Sequence, residues 1–444
     1  MSETVGYRFA GDIEIENFVL VSTDGRSIDI TSIVTETNIF QDIFSHYLQA
    51  EISISDSLSI IDSIGGFTGG ELIAISYKTK DKQLEFVSHF FGVHEITDRQ
   101  RLDEKSEAYV LNCISIESYL SCAKKVSRSY GTSGGNIISS MAKSVIDEFI
   151  YNTDAKDFYR SYKNVLGLTV SKEVTVDPTN GLQKLIVPNM SVDDTLELFA
   201  SESDSDTHIP YYVFYEDSKG YNFRDINNLV KEEPVDTFTY LMSNTDDEDD
   251  QSETAVRDYQ KIITYNVLKQ TDYLVNSVHG LFKSKMINLD ILKKRKKEFV
   301  YEYDTFESKF SKLQSQKILG QVQGDSTVYM MQTREGHDCN CSVFGDENHL
   351  PKKINKFLNV KKSYERHIFN TVLEVSLYGN SELNVGNVIE LSIPNSTTLK
   401  KSDNRQDKYL SGKYIITKIR HKFGGKTGQP YTTIIECAKD TGIE

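Results

Sequence analysis

Apolar and polar residues alternate with a period of two at both ends of the chain. "ELIAISYKT" (Glu71 to Thr79) puts Ile73, Ile75 and Tyr77 on one face of a strand. The same reading fits "AEISIS", "FGVHEITD" and "AYVLNCIS" around it. It fits "VLEVS", "GNVIELS", "KYIITKIRH" and "YTTIIECAKD" near the C-terminus. The two sets correspond in order. "GELIAIS" (Gly70 to Ser76) matches "GNVIELS" (Gly386 to Ser392), and the spacing Ile96 to Cys113 agrees with Ile419 to Cys437 within one residue. The polar stretch "NSTTLKKSDNRQDKY" lengthens the second set and reads as a loop insertion, which costs little free energy. The pattern therefore predicts two related antiparallel β-modules, near 1–125 and 365–444, each a small barrel or sandwich.

Between them the period changes. "GNIISSMAKSVIDEFI" spaces Ile138, Met141, Val145 and Phe149 as an amphipathic helix, widened by Ile137, Ala142 and Ile146. "VPNMSVDDTLELFASES" predicts a second helix with Ser191 as N-cap and Asp194 in a capping-box position. "IPYYVFYEDSKGYNFRDINNL" predicts a hairpin with Gly220 in the turn. "YQKIITYNVLKQTDYLVNSVHG" reads as a helix closed by Gly280. The predicted divisions are 1–125, an α+β domain with the aromatic hairpin at 126–240, a helical and extended insert and connector at 241–364, and 365–444. The fold class is α+β, rich in β.

Candidate chemistry is sparse. The loop "IGGFTGG" (Ile64 to Gly70) precedes a strand, whereas a phosphate-binding glycine loop opens a helix, so it reads as a turn. "HEITD" begins like a zinc-protease motif but has Asp98 where a second His is needed. His337, Cys339, Cys341 and His349 could form a four-ligand zinc set. However, C-x-C is not the usual knuckle and His349 sits in a polar loop, so two thiols on one strand face is the expected reading. The acidic run "NTDDEDDQSE" (244–253) lacks the Gly and apolar breaks of a calcium loop and reads as a solvated segment. "KKRKK" (Lys293 to Lys297) is followed by Glu298, Glu302 and Asp304 and reads as a solvated face. The carboxylates Glu216 and Asp217 are expected in a water-exposed hairpin turn, unsuited to acid/base work. No catalytic residue and no cofactor is assigned.

Composition fits a globular chain able to build cores. The chain has 444 residues, 38% hydrophobic and 26% charged, with no Trp but 25 Tyr and 22 Phe. Five Cys make no disulfide framework and fit a protein made in a reducing compartment. No signal peptide or membrane span is visible. A net charge of −15 argues against a protein that grips nucleic acid through its phosphates.

The order of these segments resembles the central baseplate hub protein of contractile-tailed, T-even-like bacteriophages, related to the upper part of type VI secretion spike proteins. "LIVPNMSVDDTLELFA" and "YYVFYEDSKGYNFRDINNL" resemble the family's central helix and hairpin. "LEVSLYGNSELNVGNVIELSIP", "LSGKYIITKIRHKF" and "YTTIIECAKD" resemble its C-terminal barrel. "FFGVHEITDRQRL" and "EAYVLNCISIESYLSCAKKVSRSYG" resemble its first barrel and the exit from it. The segments at 244–253 and His337 to Cys341 have no counterpart. The resemblance implies a non-enzymatic virion protein of the tail baseplate, assembled in the bacterial cytoplasm. It implies a homotrimer whose two tube-docking barrels per chain make a pseudo-hexameric ring. Its partners would be the tail tube protein and the central spike protein, with tape measure and baseplate wedge proteins nearby and DNA only as passing cargo. Two other readings stay open at this point: a tail-associated cell-wall hydrolase, and a carbohydrate-binding attachment protein, which the absence of Trp disfavours.

Overall fold

The structure is a computed structural model. It describes residues 10–57, 59–60, 66–80, 84–131, 136–166, 170–205, 209–240, 259–290, 294–314, 316, 318, 327–332, 351–395, 406–425 and 430–442. The acidic run 244–253 and the zinc candidates His337, Cys339, Cys341 and His349 lie outside the described residues.

The N-terminal strands are β1 (Ile13–Val21), β2 (Ser27–Asp29), β3 (Val34–Asp42), β4 (Gln49–Asp56), β5 (Leu72–Thr79), β6 (Val87–Arg101) and β7 (Glu107–Ser115). Ile73, Ile75 and Tyr77 are all buried in one core, as the alternation predicts. The middle of the chain supplies β8 (Lys125–Tyr130), β9 (Glu173–Val176), β10 (Leu185–Ser191), β11 (Tyr212–Glu216), β12 (Gly220–Asp225) and β13 (Thr237–Thr239). Next come β14 (Ile262–Gln270), β15 (Lys283–Asp290), β16 (Arg295–Glu302) and β17 (Thr327–Gln332). The last strands are β18 (Thr371–Tyr378), β19 (Val388–Ser392), β20 (Gly412–Phe423) and β21 (Thr432–Lys439).

Thirteen of these strands form one sheet, with the path β14-β18-β21-β20-β3-β4-β7-β6-β5-β1-β2, and with β19 on β20 and β13 on β19. The two modules are therefore not separate barrels. They share a single ladder in which β20 of the second pairs antiparallel with β3 of the first. The duplication read from the sequence is nevertheless present in the pairing. β3-β4-β7-β6-β5 in the first module has the same order as β14-β18-β21-β20-β19 in the second.

The middle segments behave mostly as their periodicity predicts. The helix Ile138–Val145 buries Ile138, Met141, Ala142 and Val145. It continues as a π turn, Ile146–Ile150, which advances the buried position by one residue. Ile150 is thus buried and Phe149 only partly so, while Ile137 lies outside the stripe at the N-cap. Ser191 caps the helix Val192–Glu202, its Oγ accepting the Asp194 N–H at 3.1 Å.

The segment 259–280 departs from expectation. It is not one helix but the strand β14, then a six-residue helix Tyr273–Val278, with Gly280 closing it at φ +82°. Full-length pairing of β14 with β18 outweighs a helix propensity that was only moderate. Lys294 to Lys297 of the basic run form the turn and start of β16, where Lys294 and Lys296 are exposed and Lys285 and Lys296 both pair with Glu298.

Candidate functional site

Three features stand out: the glycine loop, a buried charge cluster, and the seam between the modules.

The glycine loop is built around a carboxylate. Gly66, Gly69 and Gly70 take φ of +90°, +81° and +133°. Glu71 is fully buried and accepts the N–H groups of Thr68 at 2.8 Å and Gly69 at 3.0 Å. The donors that a phosphate would need are occupied by an anion of the chain itself, so this loop is a turn into β5.

The second feature was missed by sequence reasoning. Glu216 and Asp217 are not open to water; both are buried at the end of the β11–β12 hairpin. For Glu216 the reason is Lys172, whose Nζ donates to Glu117 Oε2 at 2.8 Å and Glu216 Oε1 at 2.5 Å, with all three side chains buried; Asp217 instead accepts the Lys219 and Gly220 N–H groups of its own turn at 2.8 Å. Tyr159 OH donates to Glu117 Oε1 at 2.5 Å, Ser115 Oγ donates to Glu216 Oε1 at 3.0 Å, and the Leu48 N–H donates to Glu216 Oε2 at 3.1 Å. Burial is the largest influence on both carboxyls and pushes upward. For Glu117, the Lys172 charge and three hydrogen bonds outweigh it and hold the carboxyl below its ordinary range; for Glu216, burial prevails. The cluster joins the β3–β4 turn, the end of β7, residue 172 and the central hairpin. It has the form of a structural lock. Nothing in "TVSKEVTV" marks Lys172 as a buried cation.

The same hairpin has a steric limit. Gly220 sits at φ +148°, where β12 pairs in parallel with β9. A Cβ there would lie 2.1 Å from the Glu173 carbonyl oxygen. We expect Gly220→Ala to lower stability by about 3 kcal/mol or more, read as a shift in denaturant midpoint at unchanged slope.

The seam interlocks the modules. Phe423 and Tyr431 of the second are buried in the core of the first, where Phe423 lies 4.9 Å from the Tyr77 ring. Ile43 of the first is buried in the core of the second, and its N–H donates to the Thr417 carbonyl at 3.0 Å. His89 and His421 flank Tyr77, and Tyr431 OH meets His421 Nδ1 at 2.9 Å.

One face of the shared sheet is apolar and buried, carrying Ile39, Ile52, Leu111, Leu373, Ile419 and Ile435. The other is polar. Following the register, Glu374 lies opposite Glu436, Glu436 opposite Lys418, and Lys418 opposite Asp42. Asn38, Glu51, Asn112 and Glu95 form the corresponding row of the first module. Lys418 pairs with Glu436 at 3.1 Å and Lys422 with Glu36 at 2.9 Å. On this face the carboxylates Glu36, Asp42, Glu51, Glu95, Glu374 and Glu436 outnumber the cations Lys269, Lys418, Arg420 and Lys422. A cavity of about 590 Å³ lies over it, lined by Phe40, Asp42, Glu374, Lys418, Arg420 and Glu436 among others.

Among the described residues no group of His, Cys, Asp or Glu is arranged to hold a metal ion. Cys113 and Cys437, which occupy equivalent places in the two modules, are buried, and Cys122 is exposed. His94 and Asp98 both lie on β6, so "HEITD" is a strand.

No protein-family model and no curated protein matches the chain by sequence. Solved structures do. A tail protein from Neisseria meningitidis MC58 superposes with a TM-score of 0.51 at 8% identity, covering 96% of this chain and 97% of that one. The 43 kDa tail protein of prophage MuSo2 from Shewanella oneidensis gives 0.52 at 9% identity, covering 96% and 100%. At so low an identity the likeness concerns the fold, and it runs over nearly the whole length of both partners. The chain has the fold of these tail proteins, in line with the resemblance that the order of its segments carries.

Proposed function

We propose that this chain is the central hub of a phage tail baseplate, a homotrimer that adapts a sixfold tail tube to a threefold spike and encloses part of the DNA channel. One observation carries the reading: a single chain holds two modules of the same strand pairing, joined edge to edge in one sheet. Three such chains present six equivalent units, which is what a threefold body needs to meet a sixfold tube. The fold shared with tail proteins supports the same reading. In this reading the chain has no catalytic role. It sits in the virion and is assembled in the bacterial cytoplasm. The modules 1–125 and 365–444 face the tube protein, and 126–240 and 241–364 lie toward the central spike, with tape measure and wedge proteins nearby. The polar sheet face lines the channel. Its excess of carboxylates repels phosphates, so that DNA slides without adhering. Contacts between subunits are obligate and bury roughly 2,000 Å² or more.

Negative-stain electron microscopy of the purified chain, alone and with a candidate spike protein, tests this. The expected particle is an annulus with six peripheral lobes and a central pore. Compact single-chain particles in both preparations would overturn the proposal.

A further inference from the structure

The duplication extends to irregularities of the backbone, and these locate an interface. In the first module the β6–β7 register slips between Val93 and Glu95; in the second the β20–β21 register slips between Ile416 and Lys418. Val93 lies opposite Cys113 and Ile416 opposite Cys437. Likewise β3 slips against β4 between Val34 and Glu36, and β14 slips against β18 between Ile262 and Thr264. Bulges re-aim a strand and fix its register, so the matching bulges equate β6 with β20, and β3 with β14; a further slip in β6 between Thr97 and Gln100 and one in β14 between Val267 and Lys269 have no counterpart in β20 and β3 and each adds one residue. Glu95 then corresponds to Lys418 and Thr97 to Arg420. Asn266 corresponds to Asn38 and, through Val372 and Gln49, Lys269 corresponds to Phe40.

Within the chain, the distal half of β20 is covered by β3, with Lys418 opposite Asp42, Arg420 opposite Phe40 and Lys422 opposite Asn38. The equivalent contact cannot form within one chain, because each of its two halves lies at a different end. The distal half of β6 pairs with β7 on one side, while its pairing with β5 stops at Gly92. Glu95 and Asp98 to Arg101 are exposed there. β14 pairs with β18 on one side and ends the sheet path; on it Ile263, Val267 and Leu268 are 38%, 37% and 48% exposed. A long edge strand carrying apolar side chains is a template for a further strand. Both edges also hold a costly backbone: Asp98 at φ +51° in β6 and the β-branched Thr271 at φ +42° just after β14.

We propose that β14 of one copy pairs antiparallel with the distal half of β6 in the next copy, in the register of the internal β20–β3 contact. Thr97 then faces Lys269 of the neighbouring copy, and Glu95 faces its Thr271. The turn after β3 is the counterpart of the segment after β14. In that turn Ile43 and Phe44 reach across the internal seam, Phe44 packing on Phe369 with centroids 5.7 Å apart. Leu274, 75% exposed in the helix after β14, reaches across the intermolecular seam in the same way. Because the contact is heterologous, it repeats head to tail until the rotation closes. The inference rests on the homotrimer reading above and names the surface that makes it.

The test uses full-length chain with Cys122, Cys339 and Cys341 changed to Ser. Thr97→Cys and Lys269→Cys are placed in separate chains, mixed and oxidised, and also combined in one chain, with light scattering in parallel. Both sites lie on exposed or partly exposed edges, away from the cores. We expect a trimer by scattering, covalent dimers from the mixture, covalent trimers from the doubly substituted chain, and neither from Thr97→Cys or Lys269→Cys alone. Gln100→Cys with Asn266→Cys serves as a second pair in the same register, so that failure of one substitution to fold leaves the test standing. A trimer by scattering that forms no disulfide through either pair would overturn the seam and leave the hub reading intact. A monomer throughout would overturn both.

Discussion

Replacing Lys172 by methionine is expected to lower stability by about 3–5 kcal/mol, the usual consequence of removing one partner from a buried ion pair. The magnitude reflects the groups left behind. Glu117 and Glu216 would stand in a dry interior without their cation, and the hydrogen bonds from Tyr159, Ser115 and the Leu48 backbone replace only part of its effect. Because the cluster ties the first module to the central hairpin, the loss should appear as separation of the two before global unfolding. Hydrogen exchange would show it as early loss of protection in β11 and β12. Lys172→Met combined with Glu117→Gln and Glu216→Gln should recover much of the loss, since no charge is then stranded. A single substitution that unfolds at the same denaturant concentration as the parent would contradict the assignment of the cluster as a lock.

Acid is expected to weaken the protein well above the pH at which exposed carboxylates titrate. Burial holds His89 and His367 neutral down to about pH 3 and His421 down to about pH 4; neighbouring Lys172 adds to the effect at His89 and Lys312 at His367. The unfolded side chains protonate near 6.5. A histidine depressed in this way contributes stability that is complete above 6.5 and lost as pH falls toward the folded value. At pH 5 each of the three loses roughly 2 kcal/mol. Asp225 and Asp440 act in the opposite sense. Burial raises both to about 6, so they gain stability as pH falls below 6, returning together roughly 3 kcal/mol at pH 5. The net expectation is a loss of roughly 3 kcal/mol between pH 7 and pH 5. Thermal melts across that range would detect it. Stability that rises steadily toward pH 5 would contradict the burial of these histidines, two of which close the seam between the modules.

What the sequence reveals about this fold depends on whether the signal is local. The strand β5, the Ser191 cap and the Gly220 turn arise from neighbouring residues, and the structure has all three. The duplication was legible because paired strands repeat the same alternation. That the modules fuse into one sheet was not, since it depends on β20 meeting β3, at opposite ends of the chain. The segment "YQKIITYNVLKQTDYLVNSVHG" reads as a helix closed by Gly280, but Ile263 and Val267 belong to a strand. They lie on an edge strand whose pattern is shaped by a partner absent from its own module, and no local period records that. Glu216 was read as solvated because acidic hairpin turns usually are. Its burial depends on a lysine distant in sequence, and pairs of this kind leave no periodic trace. The candidate site was therefore legible only as an absence of catalytic motifs, and its positive content is a set of edges and long-range contacts.

The edges also bear on solubility. A chain with an exposed apolar β14 should associate with copies of itself, and a ring satisfies every such edge without leaving one for open growth. The mass of the purified protein in solution, measured by light scattering over a range of concentrations and with a candidate spike protein added, tests the central claim most directly. The hub reading predicts a species near three times 50.5 kDa in at least one of these conditions. A mass that stays at 50.5 kDa in all of them would contradict it.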